Sequence, residues 1–264
     1  MIKTILARMT QTKKEHLAQM KAYATAFIQG VRTMDQRRHI LEPLVRDKEI
    51  KDALRIKFEG TDGVRAYNNL APWLAQDLIG DLARLFLDKK EKAASFVNIY
   101  RKASEPKMHA ALRKQFSCLF DESSSIPIAG LTEEQCASAR SILRKKDRED
   151  LVKSFEKGWN SVSAAKTDIE RDSIAEKFKK FRDKYHAHLE MTPLGTDPRP
   201  FDLSELNLIY NDILTFADQY MPAAFELARI LTGNVHDLEG FSNIHKKSGT
   251  TMWRLLADLP QSMN

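Results

Sequence analysis

The sequence has few of the residues that interrupt helices, and it has no long apolar run. Its 264 residues include only 10 Gly and 9 Pro, and 8% are aromatic. Scarce Gly and Pro, together with abundant Ala, Leu, Lys, Glu and Arg, favour helix. No apolar run approaches the roughly 20 residues that cross a bilayer. We therefore predict an all-α protein that does not enter a membrane.

The sequence also lacks the patterns typical of disulfides, metal sites, signal peptides and phosphate-binding loops. The two cysteines, Cys118 and Cys136, fit neither a metal-ligand spacing nor a disulfide framework. The first eight residues lack the apolar segment of a secretory signal peptide. The sequence has no Gly-rich phosphate loop. These absences predict a soluble, cytoplasmic protein that uses no metal and no other cofactor.

The net charge is moderately positive, at +6 with an isoelectric point of about 9.2. This balance permits an anionic partner such as RNA but does not require one, because many basic proteins only carry solvated lysines. One predicted helix has a basic stretch that fits an RNA-binding strip but is more typical of a solvated face. It consists of Arg140, Arg144, Lys145, Lys146 and Arg148.

Apolar residues recur at three- and four-residue steps along most of the chain, as in helices with one buried face. The segment from Leu70 to Phe86 predicts a central core helix, with Pro72 in its first turn and Trp73 in the core. There is no convincing strand pair and no internal repeat. We predict one domain over residues 1–264, an antiparallel helical bundle with an insert at about 92–157 and a C-terminal extension at about 235–264.

Proline and capping residues suggest where several helices begin. Pro43 is placed near the start of a second helix. A short helix is predicted over residues 95–100, and the next begins at Ser104-Glu105-Pro106. A loop at 121–130 precedes a capping box that starts at Thr132.

A charged amphipathic helix is predicted to start near Asp168 and to end in residues 181–189. After a Pro-rich loop, Asp202 and Glu205 form a capping pattern for a helix whose apolar face runs to Met221. Pro222 is predicted to kink or restart this helix, and Thr232-Gly233-Asn234 to end it.

The stretch 181–189 gathers Arg182, Asp183, His186 and His188 at the end of one helix. At about 100° per residue, Arg182 and His186 are neighbours one turn apart. Arg182 and His188 do not meet on a regular helix. Their convergence needs a loosened last turn or a second copy of the helix.

A purely structural role for these residues is also open. A histidine on an apolar seam, such as His188, is typical of a core residue bonded to a carbonyl group. Arg182 is placed to form a salt bridge with Asp183 or Glu190. The remaining histidines lack the spacing of a helical zinc site, and they are His16, His39, His109, His236 and His245.

The segment Arg-Asp-Lys-Tyr-His-Ala-His at 182–188 resembles the Arg-(4 to 6)-His signature of the HEPN superfamily. The residues of this segment are most similar to those of the abortive-infection AbiU-type branch. The helix ending at residues 82–88 and the capped helix at 201–220 resemble the earlier and last core helices of that branch. The resemblance covers about residues 15–230.

This resemblance implies a homodimeric HEPN bundle whose two motifs meet across a shared cleft. It implies a metal-independent endoribonuclease of a prokaryotic defence or toxin–antitoxin system, with a possible antitoxin protein as partner. His188 would exchange protons, Arg182 would stabilise charge on phosphorus, and Asp183 would orient one of them. His186 is either a second proton-transfer group or a bystander. The alternative is a non-catalytic helical module that binds nucleic acid or a partner protein.

Overall fold

The computed structural model describes residues 2–119, 133–186 and 203–260, and the regular elements in these ranges are all helices. The all-α prediction is confirmed for these residues, whereas the HEPN-like order of the bundle stays a prediction. Two helices, α3 and α7, each continue into a wider π-helical turn, Ala83–Leu87 and Arg182–His186. The helices are α1 (Ile2–Arg46), α2 (Lys48–Phe58), α3 (Val64–Leu82), α4 (Phe96–Ala103), α5 (Pro106–Ser117), α6 (Glu133–Arg171), α7 (Ser173–Phe181), α8 (Tyr210–Thr232) and α9 (Leu238–Leu256).

Helix α1 is the longest element and packs against α3, α8 and α9. The prediction that a second helix begins near Pro43 is wrong, because α1 continues through Pro43 to Arg46. Proline has no N–H, so the carbonyl of His39 lacks the donor four residues later. Helix α9 packs on this part of α1. Gly249 lies against the His39 carbonyl, and Trp253 Nε1 donates to the Ile40 carbonyl at 2.7 Å.

Aromatic rings from four elements meet in the core. Phe27 of α1 lies 6.2 Å from Phe86, measured between ring centroids, and Phe86 lies 6.0 Å from both Phe96 and Phe216. Phe86 belongs to the π-helical turn after α3. The core prediction for Trp73 is wrong, since this residue is 55% exposed. Because α3 already begins at Val64, the proline before Trp73 lies inside the helix rather than in its first turn.

Helices α6 and α7 are separated by a single residue, Asp172. Its Oδ1 accepts a hydrogen bond from the Ile174 amide at 2.7 Å, which caps α7. Its Oδ2 accepts a hydrogen bond from the Tyr220 hydroxyl of α8 at 3.0 Å. The helix that leads to Arg182 therefore starts at Ser173, five residues after the predicted start near Asp168.

Helix α8 is mostly buried and passes through Pro222 without ending. It begins at Tyr210 and not at the predicted capping site. A short 3-10 turn, Leu203–Leu206, and Asn207, whose backbone has a positive φ of 46°, precede it. The predicted cap Asp202 lies outside the described residues, and Glu205 belongs to the 3-10 turn. The predicted end is confirmed, because Gly233 adopts φ 77° directly after the last turn.

Four further sequence predictions concern the segments from α4 to the start of α6. The predicted loop at 121–130 and the predicted capping residue Thr132 lie outside the described residues. Helices α4 and α5 begin where expected, at Phe96 and Pro106. Within the described ranges, no helix combines the length and apolar content needed to cross a membrane.

Candidate functional site

The segment that carries the predicted site leaves the core at Phe181. This ring is 1% exposed and ends α7, and the next five residues form the π-helical turn Arg182–His186 beside α3. A π-turn is wider than an α-turn, and such turns are frequent at functional sites. The regular spacing of about 100° per residue does not apply to this turn. The last turn of the motif helix is thus loosened within the described residues.

Arg182 and Asp183 contact each other in this turn. The Arg182 Nε donates to Oδ1 of Asp183 at 2.7 Å, and the Arg182 side chain is 27% exposed. The Asp183 side chain is mostly exposed. A guanidinium fixed by one carboxylate presents its remaining N–H groups in a defined plane, which suits a phosphate. The bond to Asp183 therefore fixes the orientation of the Arg182 guanidinium and leaves part of the side chain accessible to solvent.

The two histidines of the motif are not placed by the structure. His188 lies outside the described residues, and only the backbone of His186 is described. The pairing of Arg182 with either imidazole therefore stays a prediction, and so do the roles assigned to all four residues.

The end of α7 is positively charged. Residues 173–184 contain five lysine or arginine side chains and two carboxylates, which gives a net charge of +3. Cations near a helix C-terminus stabilise the helix dipole, so this charge has a structural role of its own. It also raises the local concentration of anions such as RNA.

A second polar cluster lies between α1 and α9, and it was not predicted. Asp35 is 1% exposed, yet its Oδ2 accepts a hydrogen bond from His245 Nδ1 at 2.8 Å. The Arg38 Nε lies 3.3 Å from Asp35 Oδ1, and its Nη1 donates to Asp218 of α8. The cluster joins three helices through Asp35 and Arg38, which are buried, and through Asp218, which is half exposed.

His39 occupies the centre of this cluster. Its Nδ1 lies 3.0 Å from Glu42 Oε2, and because a carboxylate only accepts, Nδ1 carries the proton. Its Nε2 then accepts, with Ser242 Oγ at 2.8 Å and Arg38 Nη2 at 2.7 Å. Hydrogen bonding to His39 lowers the pKa of Glu42 to about 2, although its partial burial acts in the opposite direction.

The order Ser242, His39, Glu42 has the connectivity of a nucleophile, a base and a carboxylate. Three contacts argue against that chemistry. Arg38 competes for the same lone pair on His39 Nε2, and Ser242 Oγ also accepts from Arg38 at 3.2 Å and lies 3.4 Å from Asp35. The hydroxyl is therefore a bridge in an ion network that fixes α9 on α1.

One sequence feature could have revealed half of this cluster. Asp35 lies three and four residues before Arg38 and His39, and Glu42 lies four and three residues after them, so the four residues form a polar stripe along one side of α1. Their α9 partners could not be identified, because His245 lies 210 residues after Asp35. Within the described part of the chain, no three His, Cys, Asp or Glu side chains are arranged to hold a metal ion.

Comparison with models of protein families, with curated proteins and with solved structures gave no match for this chain.

Proposed function

We propose that this chain is a metal-independent endoribonuclease that acts as a cytoplasmic homodimer in a defence or toxin–antitoxin system. The observation that supports the proposal best is the π-helical turn at Arg182–His186. It loosens the helix at the point where a regular helix would keep Arg182 and His188 apart. The partly exposed Arg182, its bond to Asp183 and the positive charge of α7 also fit a site for RNA phosphate.

The proposed reaction is an intramolecular transesterification of RNA, in which the bond from phosphorus to the 5′-oxygen is replaced by a bond to the 2′-oxygen. His188 takes the proton of a ribose 2′-hydroxyl, and the 2′-oxygen forms a bond to the adjacent phosphorus. The bond from phosphorus to the 5′-oxygen breaks, and this oxygen receives a proton. Arg182 stabilises the added negative charge on the phosphoryl oxygens, and Asp183 orients Arg182. The products are a 2′,3′-cyclic phosphate and a 5′-hydroxyl.

The second proton-transfer group distinguishes two versions of this site. In one version it is His186 of the same chain, and in the other it is His188 of the second protomer. The second version requires the motifs of two protomers to face each other, and an antitoxin protein would then block the shared cleft.

The test is cleavage of a labelled RNA in the presence of EDTA by the wild type and single variants. Arg182→Ala and His188→Ala should each reduce the rate by about 10²-fold or more, as expected for loss of proton transfer or charge stabilisation. The matched control is Lys180→Ala, which removes an exposed cation of the same helix and should retain most activity. His186→Ala decides whether that residue takes part.

The products and the variants together define failure. Equal cleavage by wild type, Arg182→Ala and His188→Ala would reject the site, and products without a cyclic phosphate would reject the mechanism. Growth arrest on expression, relieved by both variants, would support the toxin role.

A second candidate function is a non-catalytic module that binds a partner. It is favoured by the exposed apolar side chains of α9, including Ile244 and Leu255. Correctly folded wild type without any ribonuclease activity would favour this alternative.

A further inference from the structure

Helix α9 is apolar on two opposite sides. Its inner side packs on α1 through Gly249 and Trp253, which are buried. Its outer side carries Ile244 and Leu255, which are 63% and 55% exposed. A helix on the surface of a globular protein normally has one apolar face, and within residues 2–119, 133–186 and 203–260 nothing accounts for the second face of α9.

The outer side follows the spacing of a helix–helix contact. Ile244, Ser248, Thr251 and Leu255 are separated by four, three and four residues, which is the heptad pattern. The short side chains of Ser248 and Thr251 lie between the two long ones. An open groove of about 550 Å³ results, and it is lined by Ile244, Lys247, Ser248, Thr251, Met252 and Leu255. Such a hole between helical side chains accepts a large side chain of a facing helix.

The charge of α9 restricts what can occupy this groove. From Gly240 to Ala257 there is no Asp or Glu, whereas Lys246, Lys247 and Arg254 are cationic. Lys247 lines the groove and is exposed. A second copy of α9 would place lysine near lysine, which disfavours self-association. A flat lipid surface would leave the recess at Ser248 and Thr251 unfilled.

We propose that the outer face of α9 is a docking site for an amphipathic helix of a partner protein. The apolar stripe of that helix enters the groove, and acidic residues on its flank face Lys247, since Arg254 is already paired with Glu49 at 2.8 Å. The site shares no residue with the proposed ribonuclease site, so either proposal can fail without the other.

The probe is a labelled synthetic helix of three heptads, with Leu at the a and d positions and Glu at the e and g positions. The matched probe has Lys in place of Glu. Fluorescence anisotropy with the full chain should show binding of the acidic helix only, and the binding should weaken as salt rises.

Two variants localise the binding on α9. Leu255→Glu should weaken binding at least tenfold, because it adds a like charge beside the acidic probe and removes apolar surface. Ser248→Leu should have a similar effect by filling the recess, without any change in charge. The matched control is Ile142→Glu on α6, since Ile142 is 68% exposed and lies outside the groove. Both α9 positions are on the surface, and circular dichroism verifies that each variant is folded.

Four outcomes would overturn the proposal. They are no binding of the acidic helix, equal binding of both helices, binding unchanged in Leu255→Glu and Ser248→Leu, and wild-type self-association that Leu255→Glu abolishes. Binding to vesicles that contain about one third anionic lipid, without binding to the acidic helix, would identify the face as a membrane contact.

Discussion

The Nδ1 of His245 donates a hydrogen bond to Oδ2 of Asp35 at 2.8 Å, and this bond joins residues 210 positions apart. Asp35 also lies within ion-pair distance of Arg38. Asp35 is 1% exposed, and burying a carboxylate is costly unless it is paired and hydrogen-bonded. Asp35 is therefore the shared partner of Arg38 on α1 and His245 on α9, and it links the two helices.

Replacing Asp35 with alanine should destabilise the fold by about 3 kcal/mol, because the buried Arg38 guanidinium loses its buried carboxylate and keeps only its pair with Asp218, whose side chain is 52% exposed. Urea unfolding of the wild type and the variant measures this difference. The matched control is Asp52→Ala, since Asp52 only forms an exposed pair with Arg55 at 4.0 Å. The control should cost less than about 1 kcal/mol. Equal effects of the two substitutions would contradict the prediction.

Glu42 should contribute to acid sensitivity. Its pKa is lowered from 4.5 to about 2 in the folded protein, first by the hydrogen bond from His39. A lowered carboxylate pKa stabilises the fold above about pH 4.5, and this contribution is lost as the pH falls toward 2. Its size is at most about 3 kcal/mol.

The variant Glu42→Gln isolates this contribution. Its unfolding free energy should be lower than that of the wild type at pH 7, and the difference should shrink as the pH falls below about 4.5. Urea midpoints between pH 7 and pH 3 measure both curves. A constant difference over this range would show that Glu42 is not the titrating group.

Replacing Gly249 with alanine should loosen α9. The added Cβ would lie 2.2 Å from the His39 carbonyl oxygen, which belongs to the α1 backbone and cannot rotate away. We expect a loss of about 1–3 kcal/mol in the free energy of unfolding. The near-ultraviolet circular dichroism of Trp253 should change as well, because its bond to Ile40 depends on the same approach. Ser248→Ala, one residue away on the exposed side, should leave both measurements unchanged.

Asp172 should stabilise the start of α7 through two separate bonds. Tyr220→Phe removes the bond to Oδ2, together with the bond that Gln219 Nε2 donates to the same hydroxyl at 3.1 Å, and should cost about 1 kcal/mol. Asp172→Ala also removes the cap on Ile174 and should cost about 2 kcal/mol. Thermal unfolding followed by the far-ultraviolet circular dichroism of the helices compares the two variants. A larger loss for Tyr220→Phe than for Asp172→Ala would contradict this division.

Features set by nearby residues could be predicted from the sequence. The end of α8 at Gly233 follows from the left-handed backbone that glycine adopts easily, and the start of α5 at Pro106 follows from the fixed φ of proline. The start of α7 was misplaced because Asp168 and Asp172 both suit a cap. The contact that distinguishes Asp172 is its bond to Tyr220, which is 48 residues away.

The same limit applies to the candidate site. The contact of Arg182 with Asp183 involves adjacent residues, but the π-helical turn that contains them departs from the regular periodicity used for prediction. The network of Asp35, His39 and His245 could not be predicted, because no local spacing connects α1 with α9. Trp73 was misassigned for a related reason, since an apolar pattern alone does not tell which side of a helix will be covered.

The bond between Asp35 and His245 also sets a delay during protein synthesis. Asp35 is added to the chain 210 residues before His245. At about 5–20 residues per second, this separation corresponds to about 10–40 seconds of translation. Throughout that interval the polar stripe of α1 has only water in place of its hydrogen-bond partners on α9. A ribosome that pauses between the two helices prolongs the exposure of this stripe, so the speed of translation affects how long α1 remains open to wrong contacts.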